Sequence, residues 1–582
     1  MMFTSAIKRK ISGSKSVVFT LFLLTLIGIC DVSYGQLESP RDSMGYGKFE
    51  GLISPLTIPL VLSGNFGELR GDHFHTGLDM KTQGKEGFPV IAACAGVISR
   101  VKVSPYGYGR ALYLSSPNGL TTVYAHLQRF APVVEQWTLD KQYENQRFEV
   151  DEAPLRAFAF EQGDTIGWSG NSGGSGGPHL HFEVRETRTQ HPINPFFWGF
   201  EIADTTPPLL QGLWVLPSSG STVNGSSIPV RFNLGDGPIR IKGQARLAVE
   251  ALDRLDAAAN RCGVFRARLT VDDEQWFEWS LDTLDFSCNR DMNAHAVYDL
   301  WERTGEQIHR LHRLPGNRLP IYQADRLSQI IEGAEGQSST VSIDVWDIHG
   351  NHSASEWQLL FQGKNDETRE GQVLNRYNQS FTARNGIASA EIAAYTFYED
   401  YAFEFEPTED SSLWRIGSMD LPASRKIKVK LPVNGELQGA SSGVAVRIGL
   451  DGKPAGSYSG RIRNGMLEFS TKTLGTYQLQ RDTQGPSLSP HKRYLGPDEN
   501  NLVIDGFDEL RFNVMDELSG VESIEASLDG QWILMRWDPK RQRVWYELND
   551  GKHLKGEQQT LIVKAVDEAG NRTTWKGTLL VK

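Results

Sequence analysis

Two short segments, well separated along the chain, carry the residue types that metal-assisted hydrolysis requires: His75-Thr76-Gly77-Leu78-Asp79 and Gly176-Gly177-Pro178-His179-Leu180-His181-Phe182-Glu183-Val184. On a strand, residues two apart face the same way, so His179 and His181 can share one cavity, one binding a metal and the other standing just outside its coordination shell. The first segment adds an imidazole and a carboxylate four residues apart. Two imidazoles and one carboxylate leave a tetrahedral Zn²⁺ with its fourth position open to water, the arrangement of a hydrolytic site and not of a structural one.

Residues this far apart need a rigid sheet to hold them together. Short β-rich runs separated by glycine-rich turns predict strands over Gly96 to Lys102, Ala111 to Ser115, Thr121 to Leu127, Thr165 to Ser169 and His179 to Arg185, an antiparallel β domain over residues 36–200. The charged and aromatic segment Pro132 to Gln162 interrupts the pattern. It reads as a surface insertion or, being long and next to site-bearing strands, as a lid or groove wall.

The six segments that follow one another from about Gly67 to Pro195 resemble the M23 family of zinc metallopeptidases, the LytM or lysostaphin type. They are His75-x-Gly77-x-Asp79; Pro89-Val90-Ile91-Ala92 with Gly96; Gly107-Tyr108-Gly109; Tyr124-Ala125-His126-Leu127; Gly163-Asp164-x-Ile166-Gly167; and Gly170-Asn171-Ser172-Gly173 leading into His179-Leu180-His181-Phe182-Glu183. The resemblance implies a Zn²⁺ cofactor held by His75, Asp79 and His181, with His126 and His179 as the catalytic histidines. It further implies hydrolysis of peptide bonds in peptidoglycan cross-links or stem peptides. Zn²⁺ lowers the pKa of bound water to roughly 7 and polarises a carbonyl. A residue must still move the proton, and histidine suits that task. Which of His126 and His179 is the general base stays open at this stage.

Arg70, Tyr108 and Asn171 are candidate substrate-binding residues of the groove. His73 shares a strand face with His75, but the His-x-Gly-x-Asp frame selects His75. Gly170-Asn171-Ser172-Gly173-Gly174 satisfies a serine-hydrolase string but sits in a glycine-rich turn with no helix after it, so the strained nucleophile elbow is missing.

The chain has 582 residues, too many for one core. Residues 1–35 have the layout of a secretory signal: Lys8, Arg9, Lys10 and Lys15, then the apolar run Val17 to Ile29, then Ser33-Tyr34-Gly35 before Gln36. The apolar run is short for a membrane span, and Ile29 before Cys30 disfavours a lipoprotein signal. The expected location is the periplasm or cell surface. The chain carries −11; removing the leader's four positive charges and one negative charge leaves −14, which argues against nucleic acid as a partner. Of the remaining cysteines, Cys94 reads as a buried small residue, whereas Cys262 and Cys288 could pair as a disulfide in an exported protein.

After Phe200 the sequence changes style. Asp204-Thr205-Thr206-Pro207-Pro208 and Asp482-Thr483-Gln484-Gly485-Pro486 are similar junctions. Val345-Trp346-Asp347-Ile348-His349-Gly350-Asn351 is echoed by Ala565-Val566-Asp567-Glu568-Ala569-Gly570-Asn571. These repeats predict two copies of one β-sandwich, over 204–365 and 482–582, flanking a β-rich module over 371–481. Helical pieces are expected only near Glu250 to Asn260 and Tyr298 to Thr304. The whole is therefore expected to be all-β: a LytM-like antiparallel peptidase domain followed by about three sandwich modules. The tail resembles, more weakly, the Ig-like extensions on M23 proteins of Bacteroidota, which would space the enzyme or dock it to other envelope proteins. The competing reading is a LytM-like non-catalytic activator of another wall hydrolase. Such regulators are expected to lose metal ligands, and this chain keeps all three.

Overall fold

The computed structural model describes residues 51–582 except 156–157, 201, 257, 326–328, 365–376, 384–385, 410–411, 496–499 and 506–507; the leader expected over 1–35 lies outside the described residues. The protein is nearly all β. Its front supplies β1 (Leu62–Gly64), β2 (Leu78–Lys81), β3 (Pro89–Ile91), β4 (Gly96–Val103), β5 (Arg110–Ser115), β6 (Leu120–Ala125) and β7 (Arg129–Phe130). Helix α1 (Pro132–Asn145) follows, then β8 (Val150–Glu152), β9 (Ala159–Phe160), β10 (Thr165–Trp168), β11 (His179–Glu186) and β12 (Pro192–Ile193).

Nine of these strands form one sheet with the main order β1-β2-β11-β6-β5-β4-β8, while β3, β10 and β7 form a small second sheet. Strand β11 is central, antiparallel to β2 on one side and to β6 on the other. Its period-2 alternation separates two tasks. Leu180, Phe182 and Val184 are fully buried in the apolar core, and His179, His181, Glu183 and Arg185 line the opposite face.

The expected insertion is α1 with the short strands β8 and β9. Pro132 starts the helix and Gln146 ends it in a left-handed conformation. Its buried residues are Val134, Thr138 and Gln142, spaced by four but only one of them apolar, so the sequence shows little helical periodicity. The helix expected near Glu250 is instead the end of a strand, Ala245–Leu252, paired along its length with Leu209–Pro217. Strand pairing on both sides overrides the helix propensity of its alanines. Tyr298–Thr304 is a short helix, as expected.

Downstream, the strands between Leu209 and Phe361 form a four-stranded and a seven-stranded sheet, those between Gln379 and Gln480 one nine-stranded sheet, and those between Ser487 and Val581 a four- and a five-stranded sheet. The first and last of these modules share a strand pairing. Each has a long hairpin, Ser338–Trp346 with His352–Phe361 or Gln558–Asp567 with Arg572–Val581. A short strand, Ile239–Lys242 or Asn501–Ile504, runs parallel to the hairpin's second arm. The Asp-x-x-Gly-Asn turns close both hairpins: Asn571 donates its side-chain amide to Asp567 at 2.9 Å, and Asn351 does the same to Asp347 at 2.7 Å.

One apolar core runs from Leu52 through to Phe361 without a break near residue 200, whereas the two later modules have cores of their own. Across that stretch, Gly67 leaves room for Leu281, whose Cδ1 would lie 2.4 Å from any added Cβ. Phe182 packs on Phe200 with ring centroids 5.4 Å apart. Cys94, Cys262 and Cys288 are separate buried thiols, so the disulfide considered for Cys262 and Cys288 is not formed. No helix among the described residues is long and apolar enough to cross a membrane.

Candidate metal centre and catalytic cleft

The register of β11 against β2 puts His181 directly opposite Asp79, and its register against β6 puts His181 opposite Ala125, the last residue of that strand. The chain then turns at His126 with φ of 60°, a left-handed conformation uncommon for a residue with a side chain and often found at functional sites. His75 enters from the loop before β2. His75, Asp79, His126, His179 and His181 thus line one cleft of about 690 Å³.

Three of these residues converge. His75 Nε2, His181 Nδ1 and Asp79 Oδ1 stand 3.0 Å from one another. Ligands about 2.0–2.1 Å from a tetrahedral zinc are separated by roughly 3.3 Å, close to the spacing seen here. The partners of the other ring nitrogens settle what the converging atoms are. His75 Nδ1 donates to the Asn65 carbonyl at 2.7 Å, and His181 Nε2 donates to Glu183 Oε1 at 2.8 Å. In its neutral form each ring therefore turns a lone pair towards the carboxylate oxygen, and three lone pairs facing one another suit a cation between them. The charges agree. Burial alone would lower the His181 pKa, yet Asp79 and Glu183 raise it to about 9: without an ion the ring keeps a second proton on Nδ1 facing Asp79, and a cation held there would take the place of that proton. Burial alone would raise the Asp79 carboxyl, yet the neighbouring histidines hold it well below the usual range. The residues fit a zinc ion.

His126 and His179 sit beside this group with ring centroids 4.8 Å apart. His126 Nδ1 donates to the Ser172 carbonyl at 2.8 Å, which leaves Nε2 as an acceptor. Burial, reinforced by His181 and His179, pushes its pKa down to about 3, so the ring is neutral at physiological pH. His179 Nδ1 donates to the Gly177 carbonyl at 2.8 Å. Its Nε2 is buried, lies 3.3 Å from Asp79 Oδ1 and forms no proper hydrogen bond, so it too is available for a reacting group.

Of the three groove candidates, Arg70 lines the cleft and braces Asp79, donating from Nη2 to Asp79 Oδ2 at 2.8 Å. Tyr108 also lines the cleft, and its hydroxyl donates to Glu183 Oε1 at 2.5 Å. Burial, with Glu183 alongside, raises the Tyr108 pKa well above normal, which keeps that proton in place. Asn171 does not line the cleft; its side chain accepts from Lys540 Nζ at 3.0 Å. His73 is exposed and paired with Asp72.

Glu183 is the residue whose importance the motif reading missed. It is fully buried and gathers Thr76 Oγ1 at 2.6 Å, Tyr108, His181 and the Arg185 guanidinium. Arg185 and the hydrogen-bond donors hold it far below the usual carboxylate range against the effect of burial. The sign was there in β11: a run of His, His, Glu and Arg at every second position of a central strand requires a buried polar network.

The downstream modules also build the site. Asn65, whose carbonyl orients His75, is held by Gly263 through two hydrogen bonds, Asn65 Nδ2 to the Gly263 carbonyl at 2.7 Å and Gly263 N to Asn65 Oδ1 at 2.8 Å. Phe74, next to His75, is clamped by Asn289, which accepts from its N–H at 3.1 Å and donates to its carbonyl at 3.0 Å. Phe286, Arg290 and Lys472 wall the cleft. Lys540 fastens the glycine-rich loop, donating also to the Asn171 carbonyl and, at 2.8 Å, to that of Ser175. The lid considered for Pro132 to Gln162 is not seen, since its described residues contribute nothing to the cleft lining. Instead Tyr143 on α1 docks the last module, packing on Trp532 at 5.3 Å and donating to Asp550 at 3.1 Å.

The profile of Peptidase family M23 matches residues 73–141. The DD-carboxypeptidase/endopeptidase Mpg of Neisseria meningitidis serogroup B (strain ATCC BAA-335 / MC58) is 34% identical over 137 residues, which is 24% of this chain and 24% of the relative's own length. The protein of the same description from Neisseria gonorrhoeae matches equally. Among solved structures, a catalytic-domain mutant of the prophage-encoded M23 protein EnpA from Enterococcus faecalis is 26% identical, covering 24% of this chain and 93% of that one with a TM-score of 0.19. The catalytic domain of lysostaphin from Staphylococcus simulans is 24% identical, covering 23% and 86%, with a TM-score of 0.17. The front of the chain carries a peptidase domain of family M23, with His75, Asp79 and His181 grouped as a metal ion requires.

Proposed function

We propose that the protein is an exported zinc-dependent endopeptidase that hydrolyses peptide bonds of peptidoglycan. The observation that carries this reading is the convergence of three lone pairs on one point, with the free Nε2 atoms of two further histidines beside it. A non-catalytic activator would have no use for that complete set.

His75 Nε2, His181 Nδ1 and Asp79 would hold the ion, with Arg70 fixing the carboxylate and Glu183 fixing the second imidazole. When bound, Zn²⁺ supplies a Lewis acid and a water of lowered pKa. The neutral His126 ring can take a proton at Nε2 and return it to the leaving amine, while His179 stands close enough to hydrogen-bond an oxyanion formed at the same place. The Neisseria relatives are named DD-carboxypeptidase/endopeptidase, which supports testing carboxypeptidase as well as endopeptidase cleavage. The test is digestion of purified peptidoglycan by the mature chain with and without chelator, followed by mass analysis. New amino termini that need the metal are expected; their absence would sink the assignment.

Of the cations that line the cleft, Arg70 is paired with Asp79 and Arg290 with Asp72, which leaves Lys472 to meet a carboxylate of a peptide stem. Lys472→Ala is expected to raise KM about 2–5-fold at low salt with kcat unchanged, and less at high salt, because an exposed charge contact is worth at most ~1 kcal/mol and is screened. Steady-state kinetics at two salt concentrations check this. A fall in kcat would give Lys472 a different role.

A further inference from the structure

The first sandwich-like module contains a second group of metal-ligating residues, remote in kind from the cleft because it is made only of carboxylates. Asp204, Asp253 and Asp347 are all buried, and each offers an oxygen within 4.8 Å of the others. The sequence brings them from three places: the junction after the peptidase domain, the end of the strand Ala245–Leu252, and the Asp-x-x-Gly-Asn turn. Among the described residues, none of the three forms an ion pair with lysine or arginine. Asp347 is satisfied by neutral donors, the N–H groups of His349 at 2.8 Å and Asn351 at 2.9 Å and the Asn351 side-chain amide. The other two are satisfied only in part: Asp204 Oδ1 accepts from the Thr206 N–H at 3.2 Å, but one oxygen of each carboxylate has no donor. Asp253 is only 2% exposed, and its Oδ1 is buried without any hydrogen-bond partner; Asp204 Oδ2 is in the same state.

Buried carboxylates left without donors are costly unless a proton or a cation neutralises them. Burial, with Asp347 and Asp204 nearby, pushes Asp253 up to about 7, and burial raises Asp204 as well. Hydrogen bonds leave Asp253 Oδ1 and Asp204 Oδ2 unsatisfied, and the convergence of oxygens gives the alternative. Oxygen-only donor sets select hard divalent ions, and a group of carboxylates completed by water suits the larger, geometrically tolerant Ca²⁺ better than Mg²⁺ or Zn²⁺.

We propose that Asp204, Asp253 and Asp347 form a calcium site at the junction between the peptidase domain and the module that follows it. The last module supplies an internal comparison. Asp482, Asp516 and Asp567 occupy the same three places and also approach within 4.8 Å. There each carboxylate has donors: beside Gln484 N, the counterpart of Thr206 N, Asp482 accepts from Ser519 N, Asp516 accepts from Gly520 N, and Asp567 accepts from Asn571 N. That copy satisfies itself with backbone, and the proposal does not extend to it.

The site has a mechanical consequence. Asp253 exchanges both backbone hydrogen bonds with Cys262 at 2.9 Å, and the next residue, Gly263, holds the Asn65 that orients His75. An ion on Asp253 would stiffen the strand end on which this chain of contacts rests.

The experiment uses the full chain stripped of divalent ions and reloaded with zinc, titrated with CaCl₂ by calorimetry and followed by thermal melting. It does not depend on peptidase activity. One calcium site is expected, with a melting temperature raised by at least about 2 °C at saturation. Asp253→Asn and Asp204→Asn should each abolish the binding and the shift, while Asp516→Asn keeps both. In calcium-free buffer Asp253→Asn should melt above the parent, because it removes one of three crowded carboxylates. If Asp253→Asn does not fold, Asp204→Asn decides. The proposal is overturned by no binding at calcium well above the ~10⁻³ M of weak protein sites, by binding that survives both substitutions, by binding lost in Asp516→Asn instead, or by an equal shift with MgCl₂.

Discussion

Replacing His181 with alanine is expected to release zinc and abolish peptidoglycan cleavage together, whereas replacing His179 is expected to cost ~10²–10³-fold in kcat with zinc retained. The two residues differ by two positions on one strand, so the contrast is sharp. His181 contributes Nδ1 to the group formed with His75 and Asp79, and its own Nε2 is tied to Glu183. His179 Nε2 has no such commitment and is 3.3 Å from Asp79. Zinc content measured on the purified variants, beside product formation, separates the roles. If His179→Ala emptied the site as well, the division of labour between the pair would be wrong. Retention of activity by His181→Ala would refute the metal assignment itself.

The second large effect is expected at Glu183, which no substrate needs to touch. Glu183→Gln removes the carboxylate that orients His181 and should weaken zinc binding ~10–100-fold, the usual cost of losing such a partner. It also leaves Arg185, which is 4% exposed, without its counter-charge, and breaking a buried pair costs about 3–5 kcal/mol. Chelator competition measures the first effect and urea denaturation the second. Adding Arg185→Met should recover much of the stability but none of the zinc affinity, since only the carboxylate acts on His181. If the double variant regained both, Glu183 would matter to the fold alone.

Much of the cleft could be read from the chain because its residues lie in segments with local rules. His75 and Asp79 share one motif; His179 and His181 share a strand; His126 ends the strand next to it. The structure brings all five into one cleft. Strand positions were equally legible, because period-2 alternation and glycine-rich turns are local properties. Helix α1 was not, since two of its three buried positions are polar and its apolar stripe nearly vanishes. Asn289, Gly263 and Lys540 were out of reach for another reason. Each meets the peptidase domain across 198 to 369 residues of sequence, and nothing in the local composition around them indicates such a partner.

The unbroken core between Leu52 and Phe361 gives this protein an unusual relation between ancestry and folding. The stretch that matches a peptidase family is shorter than the stretch that must condense together, and His75 is oriented by Asn65, which Gly263 holds in place. During synthesis the proposed metal ligands emerge long before that support does. The catalytic centre would therefore mature late, after the following module has been made, and an incomplete chain would carry the hydrolase motifs without their final geometry.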